Sequence, residues 1–346
     1  MINKCENCGG KIKFSPKNKG NLCEKCGSVF PVEYNPMFNK KLFEQAIPLE
    51  NDKLSDNLTN YNCKSCGASV LVNKGQLQAQ CAYCGDNSLV QSKKTSLMFI
   101  DSLIPFSFDK QDALEAFKSN VSKRVFANKT IFKDITTEDI SGTYVNAFVF
   151  DISTESVYSG VFSYTRTVKT SDGKTKTERI RKHVSGNFSK LYNNLTIEAN
   201  SHLDQNDLIS IEPFEYGSAV EFKEDFMNGY MLEYQDRAFD DCFKNAENIM
   251  TNDIKKALLR KHGCDRIESI NLSTTYTDKK YNYCLLPVYF VTTIDKKKDK
   301  KYRAVMNGQT GKVGKLPLNG WKIFGLVFGI CVFLVAIVLA TVFLGK

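Results

Sequence analysis

Residues 5–26 read CENCGGKIKFSPKNKGNLCEKC, and residues 63–84 read CKSCGASVLVNKGQLQAQCAYC. Cys5, Cys8, Cys23 and Cys26 are spaced C-x2-C-x14-C-x2-C, and Cys63, Cys66, Cys81 and Cys84 repeat that spacing 58 residues later. Two CxxC knuckles about fifteen residues apart can bring four thiolates into the tetrahedron that Zn²⁺ takes in closed structural sites. Gly9, Gly27, Gly67 and Gly85 follow the second cysteine of each knuckle, where a tight turn favours a residue tolerant of positive φ. Ile12/Phe14 and Val70/Val72 alternate as short ribbon strands would. The competing readings are disulfides, a redox CxxC and chance. Two matched sets of four argue against chance. Disulfides need an oxidising compartment, and Met1-Ile2-Asn3-Lys4 leaves no room for a signal peptide before Cys5. The expectation is two structural Zn²⁺ sites with no position open for a catalytic water, each folding a module too small to hold a core without metal.

At the other end, Ile323–Leu344 is an uncharged run of 22 residues. As a helix it would be about 33 Å long, enough for a hydrocarbon layer of about 30 Å. Trp321 and Lys322 precede it and Lys346 follows it, the aromatic and basic flanks of a membrane interface. A single-pass span in the cell membrane is expected. Free thiols in the ribbons, and Lys312, Lys315 and Lys322 ahead of the span, place the N-terminal region in the cytoplasm. Gly325 and Gly329 form a GxxxG spacing that can pair two such helices into a homodimer.

The formal charge is +9, and two loaded tetrathiolate sites would lower it to about +5. Met1–Tyr34 holds six Lys and three Glu, and 61–92 holds Lys64, Lys74 and Asp86. Neither ribbon, once loaded, is the strongly basic face that phosphate binding needs.

The middle reads as α+β. A helix is predicted over Phe108–Phe126, with Ala113, Leu114, Phe117 and Val121 on one face. Tyr144–Ile152 reads as a buried strand. Val157–Val168 and Thr175–Val184 flank Asp172-Gly173 as a hairpin with a Lys- and Thr-rich tip, either a solvated edge or a binding surface. A long helix from about Asp236 to His262 has acidic residues first and basic residues last, with Gly263 as its stop. Tyr283–Ile294 and Lys301–Met306 read as strands joined by a lysine run, which suits either a soluble tip or contact with anionic lipid. Pro-Phe pairs at Pro105-Phe106 and Pro213-Phe214, each ahead of a helix, hint at a duplicated unit. The resulting division is ribbon 1 (1–34), linker (35–60), ribbon 2 (61–94), α+β units at 97–216 and 217–319, and a transmembrane helix at 322–345.

Several segments carry a resemblance: the paired ribbons, Leu103-Ile104-Pro105-Phe106, Gly142-Thr143-Tyr144 leading to Phe148-Val149-Phe150-Asp151, Leu285-Leu286-Pro287-Val288-Tyr289, and Asn307-Gly308-Gln309-Thr310-Gly311-Lys312-Val313 before Leu316-Pro317. In this order they resemble bacterial membrane-anchored TFIIB-type zinc-ribbon-containing proteins, although Tyr289 and Ala147-Phe148 stand where members often carry Trp. The resemblance implies zinc, membrane anchoring and recruitment of PspA-like or SPFH-type proteins in envelope stress. It implies no catalytic residue. Some members carry helicase or primosomal names, but Gly308–Val313 has neither the spacing nor the hydroxyl of a phosphate-binding Walker loop. His183, His202 and His262 show no metal or triad spacing. Two readings result: a non-enzymatic membrane-anchored adaptor that recruits a cytosolic protein, and a membrane-tethered nucleic-acid-binding protein.

Overall fold

The computed structural model describes residues 4–46, 58–74, 80–92, 100–169, 172, 175–295 and 300–344, with side chains of the last helix as far as Ile337. The lysine run at 296–299, Gly173, linker residues 47–57 and Lys346 lie outside them.

The first ribbon keeps a sheet of its own: β1 (Ile12–Ser15), β2 (Gly20–Cys23) and β3 (Val29–Pro31) in antiparallel order. Residues 36–46, assigned to a linker from the sequence, lie against the body. They include β4 (Lys41–Leu42), which pairs with a later strand, and Phe43, whose ring meets Phe150, Phe239 and Phe243 at 4.8–5.5 Å. The second ribbon contributes β5 (Leu58–Cys63), β6 (Ser69–Asn73) and β7 (Leu89–Gln91), and these belong to the main sheet.

After β8 (Ser102–Leu103) comes α1 (Lys110–Lys123). Asp109 caps it, its carboxylate accepting from the N–H groups of Gln111 and Asp112 at 2.9 and 3.0 Å, a cap worth about 1 kcal/mol. The expected apolar face, Ala113, Leu114, Phe117 and Val121, is buried.

Next come β9 (Ile140–Lys169), β10 (Thr175–Glu198), the short α2 (Gln205–Ile211), β11 (Met231–Glu233), α3 (Phe239–His262), β12 (Arg266–Asp295), β13 (Lys300–Asn307) and α4 (Gly320–Leu344). The Tyr144–Ile152 and Val157–Val168 strands expected from the sequence are one continuous strand. β9 is central. β10 runs antiparallel along one edge, from Thr175↔Lys169 to Glu198↔Ala147. β12 runs antiparallel along the other, from Arg266↔Ser163 to Val291↔Ile140. The main sheet is ordered β13-β12-β9-β11-β6-β5-β7, with β10, β4 and β8 branching from it. The segments read as two α+β units therefore share one sheet and pair with each other directly. Glu212-Pro213-Phe214 is followed by 3-10 turns, and the next α-helix begins only at Phe239.

β9 changes character along its length. Residues 140–150 are all buried in the body; beyond Asp151 the strand alternates. Thr154, Ser156, Tyr158, Gly160 and Phe162 are buried on one side, while Glu155, Val157 and Ser159 face solvent. The matching stripe on α3 is Cys242, Ala246, Met250, Ile254 and Leu258, all buried. The outer 18 residues, Ile152–Lys169, form an arm up to about 60 Å long. α3 ends at Gly263 with φ 56°, as expected.

α4 is rooted on the body near the start of β9. Leu318 bridges to Ala127, Asn319 N–H donates to Phe126 O at 2.8 Å, and Lys322 Nζ donates to Val125 O at 3.2 Å. None of Gly320–Ile337 is buried.

Candidate metal centres

All eight cysteines expected as ligands come together in two groups: Cys5, Cys8, Cys23 and Cys26, and Cys63, Cys66, Cys81 and Cys84. In each group the ligand atoms lie within 4.8 Å of one another. The chain builds the four knuckles alike. The N–H of Gly9, Gly27, Gly67 and Gly85 donates to the carbonyl of the first cysteine of its own knuckle, at 2.7–3.0 Å. Those glycines take φ of 68–80°, which strains any residue with a Cβ. The first cysteine's own N–H donates to the carbonyl five residues on, at 2.8 Å in every knuckle.

Sulfur separations test the fit to a metal. Cys5–Cys26 and Cys8–Cys23 are 3.5 Å apart, Cys63–Cys84 is 3.6 Å and Cys66–Cys81 is 3.7 Å. A tetrahedron with metal–sulfur bonds of about 2.3 Å has edges of about 3.8 Å. Both groups fit a tetrathiolate ion. With four protein ligands each, neither leaves a coordination position for substrate.

The surroundings of the two groups differ. Cys26 is exposed, and a hydrogen bond with the Ser28 hydroxyl pulls its thiol down to about 6. A Cβ added at Gly9 or Gly27 would meet nothing within 4 Å. In the second ribbon, burial pushes the Cys66 thiol up to about 11 and Cys81 higher still. Its knuckles face the body: a Cβ at Gly67 would lie 3.8 Å from His202 Nε2, and one at Gly85 would lie 2.9 Å from Thr292 Oγ1.

Beneath this ribbon is an acidic cluster that the sequence reading missed. The Tyr83 hydroxyl donates to Glu233 Oε1 inside the body, and Asn146 N–H donates to Glu233 Oε2 at 3.2 Å. Glu198, fully buried, pairs with Arg237 Nη1 at 3.0 Å and accepts from Asn200 N–H at 2.6 Å. Desolvation pushes both carboxyls up, Glu233 to about 8, while Arg237 opposes the rise at Glu198. Only the Tyr83 position, between Cys81 and Cys84, offers a local clue; nothing in the sequence pairs Glu198 with Glu233.

Of the residues expected at a membrane interface, Trp321 is 85% exposed in the first turn of α4 and Lys322 is tied to Val125. Gly325 and Gly329 both face open space.

No family model matches the chain, and no solved structure matches it. It is similar to the uncharacterized protein YdjG of Bacillus subtilis (strain 168), at 24% identity over 337 residues that cover 94% of this chain and 93% of that one.

Proposed function

We infer that the protein is a non-enzymatic adaptor, anchored in the cell membrane by α4, whose cytoplasmic body is stabilised by two structural Zn²⁺ ions and recruits a protein partner to the bilayer. The observation that supports this most is the combination of two closed four-cysteine sites with an unburied apolar helix rooted directly on the body. Cysteine-only sites suit Zn²⁺ and serve to shape a surface. Twenty-five helical residues suffice to cross a bilayer. The resemblance to zinc-ribbon membrane proteins points to PspA-like or SPFH-type partners, and the open faces of Gly325 and Gly329 suit pairing of two anchors.

The test is a pull-down from detergent-solubilised membranes, with metal analysis and fractionation. Expected are two zinc ions per chain, a specific co-purifying protein, and release from the membrane when the chain stops at residue 319. Zinc absent from both sites, or continued membrane association of the shortened chain, would overturn the corresponding part.

A further inference from the structure

We propose that the free end of the β9–β10 arm is a binding site for double-stranded nucleic acid. This goes beyond the adaptor reading and does not rest on it.

Beyond Ser163, where β12 begins at Arg266, β9 and β10 continue alone as a two-stranded antiparallel ribbon, Tyr164–Lys169 against Thr175–Ile180. Among the described residues of 160–184 and 260–266, nine are basic and three acidic (Asp172, Glu178 and Asp265). The arm's end thus holds +6 of a whole-chain charge of +9.

The charge lies on both faces. Register puts Arg166, Lys176 and Lys182 on the side that continues the α3-covered face, and Lys169, Arg179 and Arg181 on the other. All six are exposed. Arg166, Lys169, Arg181 and Arg266 have no ion-pair partner among the described residues. Lys176 has only the exposed Glu178 at 3.8 Å, and Arg179 lies near Asp265. Thr165, Thr167, Thr175 and Thr177, also exposed, supply hydroxyl donors between the cations.

An acidic patch on a protein is one-sided and would be met by one charged face. A groove of duplex nucleic acid has phosphates on both walls. The major groove of B-form DNA, about 12 Å wide, admits a two-stranded ribbon. The arm's direction also separates this end from the anchor. α4 is rooted at Val125–Asn128, just ahead of the start of β9, whereas the basic ribbon is at the far end of that strand. The basic ribbon and the root of α4 are thus separated by the length of that strand.

The test uses the full chain in zwitterionic nanodiscs and a fluorescein-labelled 20-base-pair DNA duplex followed by anisotropy. About four phosphate contacts predict a loss of roughly 150-fold in affinity between 50 and 200 mM salt. Replacing Arg166, Arg179, Arg181 and Lys182 by Ala should weaken binding at 50 mM by about tenfold or more and flatten the salt dependence. A control with Lys64, Lys118, Lys123 and Lys133 replaced by Ala removes the same charge from ribbon 2 and the α1 side, and should bind within about twofold of the parent. Circular dichroism and metal content confirm that both variants are folded. No saturable binding at 50 mM salt, binding that survives the arm substitutions, or stronger binding to poly-glutamate than to the duplex would each overturn the proposal, the last in favour of an acidic protein.

Discussion

The two ribbons share one cysteine spacing and differ in how the body uses them. Ribbon 1 closes its three strands into a separate sheet and meets the body through side chains and a backbone bond: the Phe14 and Tyr34 rings lie 5.1 and 5.2 Å from Phe226, Phe14 N–H donates to Asn228 O, and Lys17 and Glu33 pair with Asp112 and Lys223. Ribbon 2 gives its strands to the main sheet: β6 pairs with β11, and β11 with β9. Cys63, Cys81, Val70 and Val72 share a core with Val145, Ala147 and Leu286. The same four-cysteine motif thus keeps a sheet of its own in one place and is part of the main sheet in the other. Spacing decides whether a site can form; the residues between and around the cysteines decide what depends on it.

The largest contrast should come from removing the metal ligands. Binding of structural zinc is worth about 10–16 kcal/mol in isolated modules, comparable with a domain's whole stability of about 5–15 kcal/mol. Cys63→Ser with Cys66→Ser should lose one metal per chain and abolish the cooperative near-UV melt of the body. Cys5→Ser with Cys8→Ser should lose one metal and leave that melt in place, with membrane insertion intact in both. Equal damage from the two pairs, or full zinc content in either, would remove the contrast.

Phe14→Ala should cost about 3–5 kcal/mol, the usual range for a buried phenylalanine, concentrated at ribbon 1. Limited proteolysis should cut between residues 31 and 36 while ribbon 2 stays protected.

Tyr83→Phe removes the hydroxyl that satisfies Glu233 and should lower stability by about 1–3 kcal/mol, read as a shift in denaturant midpoint. Among the described residues, no hydroxyl beneath ribbon 1 has this role.

A pH dependence should follow from the same cluster. A carboxyl whose pKa is raised in the fold favours folding while protonated. Its contribution is complete below about pH 4.5, the ordinary glutamate value, and falls away as pH rises through the value of about 8 that burial gives Glu233. Between pH 6 and 8 the parent should lose stability progressively, and Glu233→Gln should flatten that decline. An unchanged slope in the variant would move the effect elsewhere.

The smallest test compares turns. Gly27→Ala and Gly85→Ala both force a Cβ into positive φ, at about 1 kcal/mol or more. Gly85→Ala adds a close approach to Thr292 and should be the worse of the two. Equal midpoints would mean that the ribbon 2 knuckle yields easily.

Local chemistry made part of this fold legible. The cysteine spacing marked both four-cysteine groups, Asp109 and Gly263 marked helix ends, and the uncharged run marked α4. Non-local features were not legible. β9 looked like two strands because its inner half is apolar throughout while its outer half buries small polar residues such as Thr154 and Ser156, which carry little hydrophobic signal. Phe43 sits in a polar stretch that reads as linker, yet its ring is held by partners more than a hundred residues away. The seven residues of α2 are too few for periodicity to show. The Glu198–Glu233 pair joins strand ends 35 residues apart in sequence, and only the sheet brings them together.

The pairing of β9 with β12 also bears on the order of synthesis. Ser163 waits for Arg266, and Ile140 waits for Val291. At about 5–20 residues per second, the roughly hundred-residue or longer gap keeps β9's second edge unpaired for about 5–20 s or more after β9 has been made. A nascent hairpin with an open edge is a template for pairing with another chain. On the ribosome, the outer arm's charge repels its own copies throughout that interval.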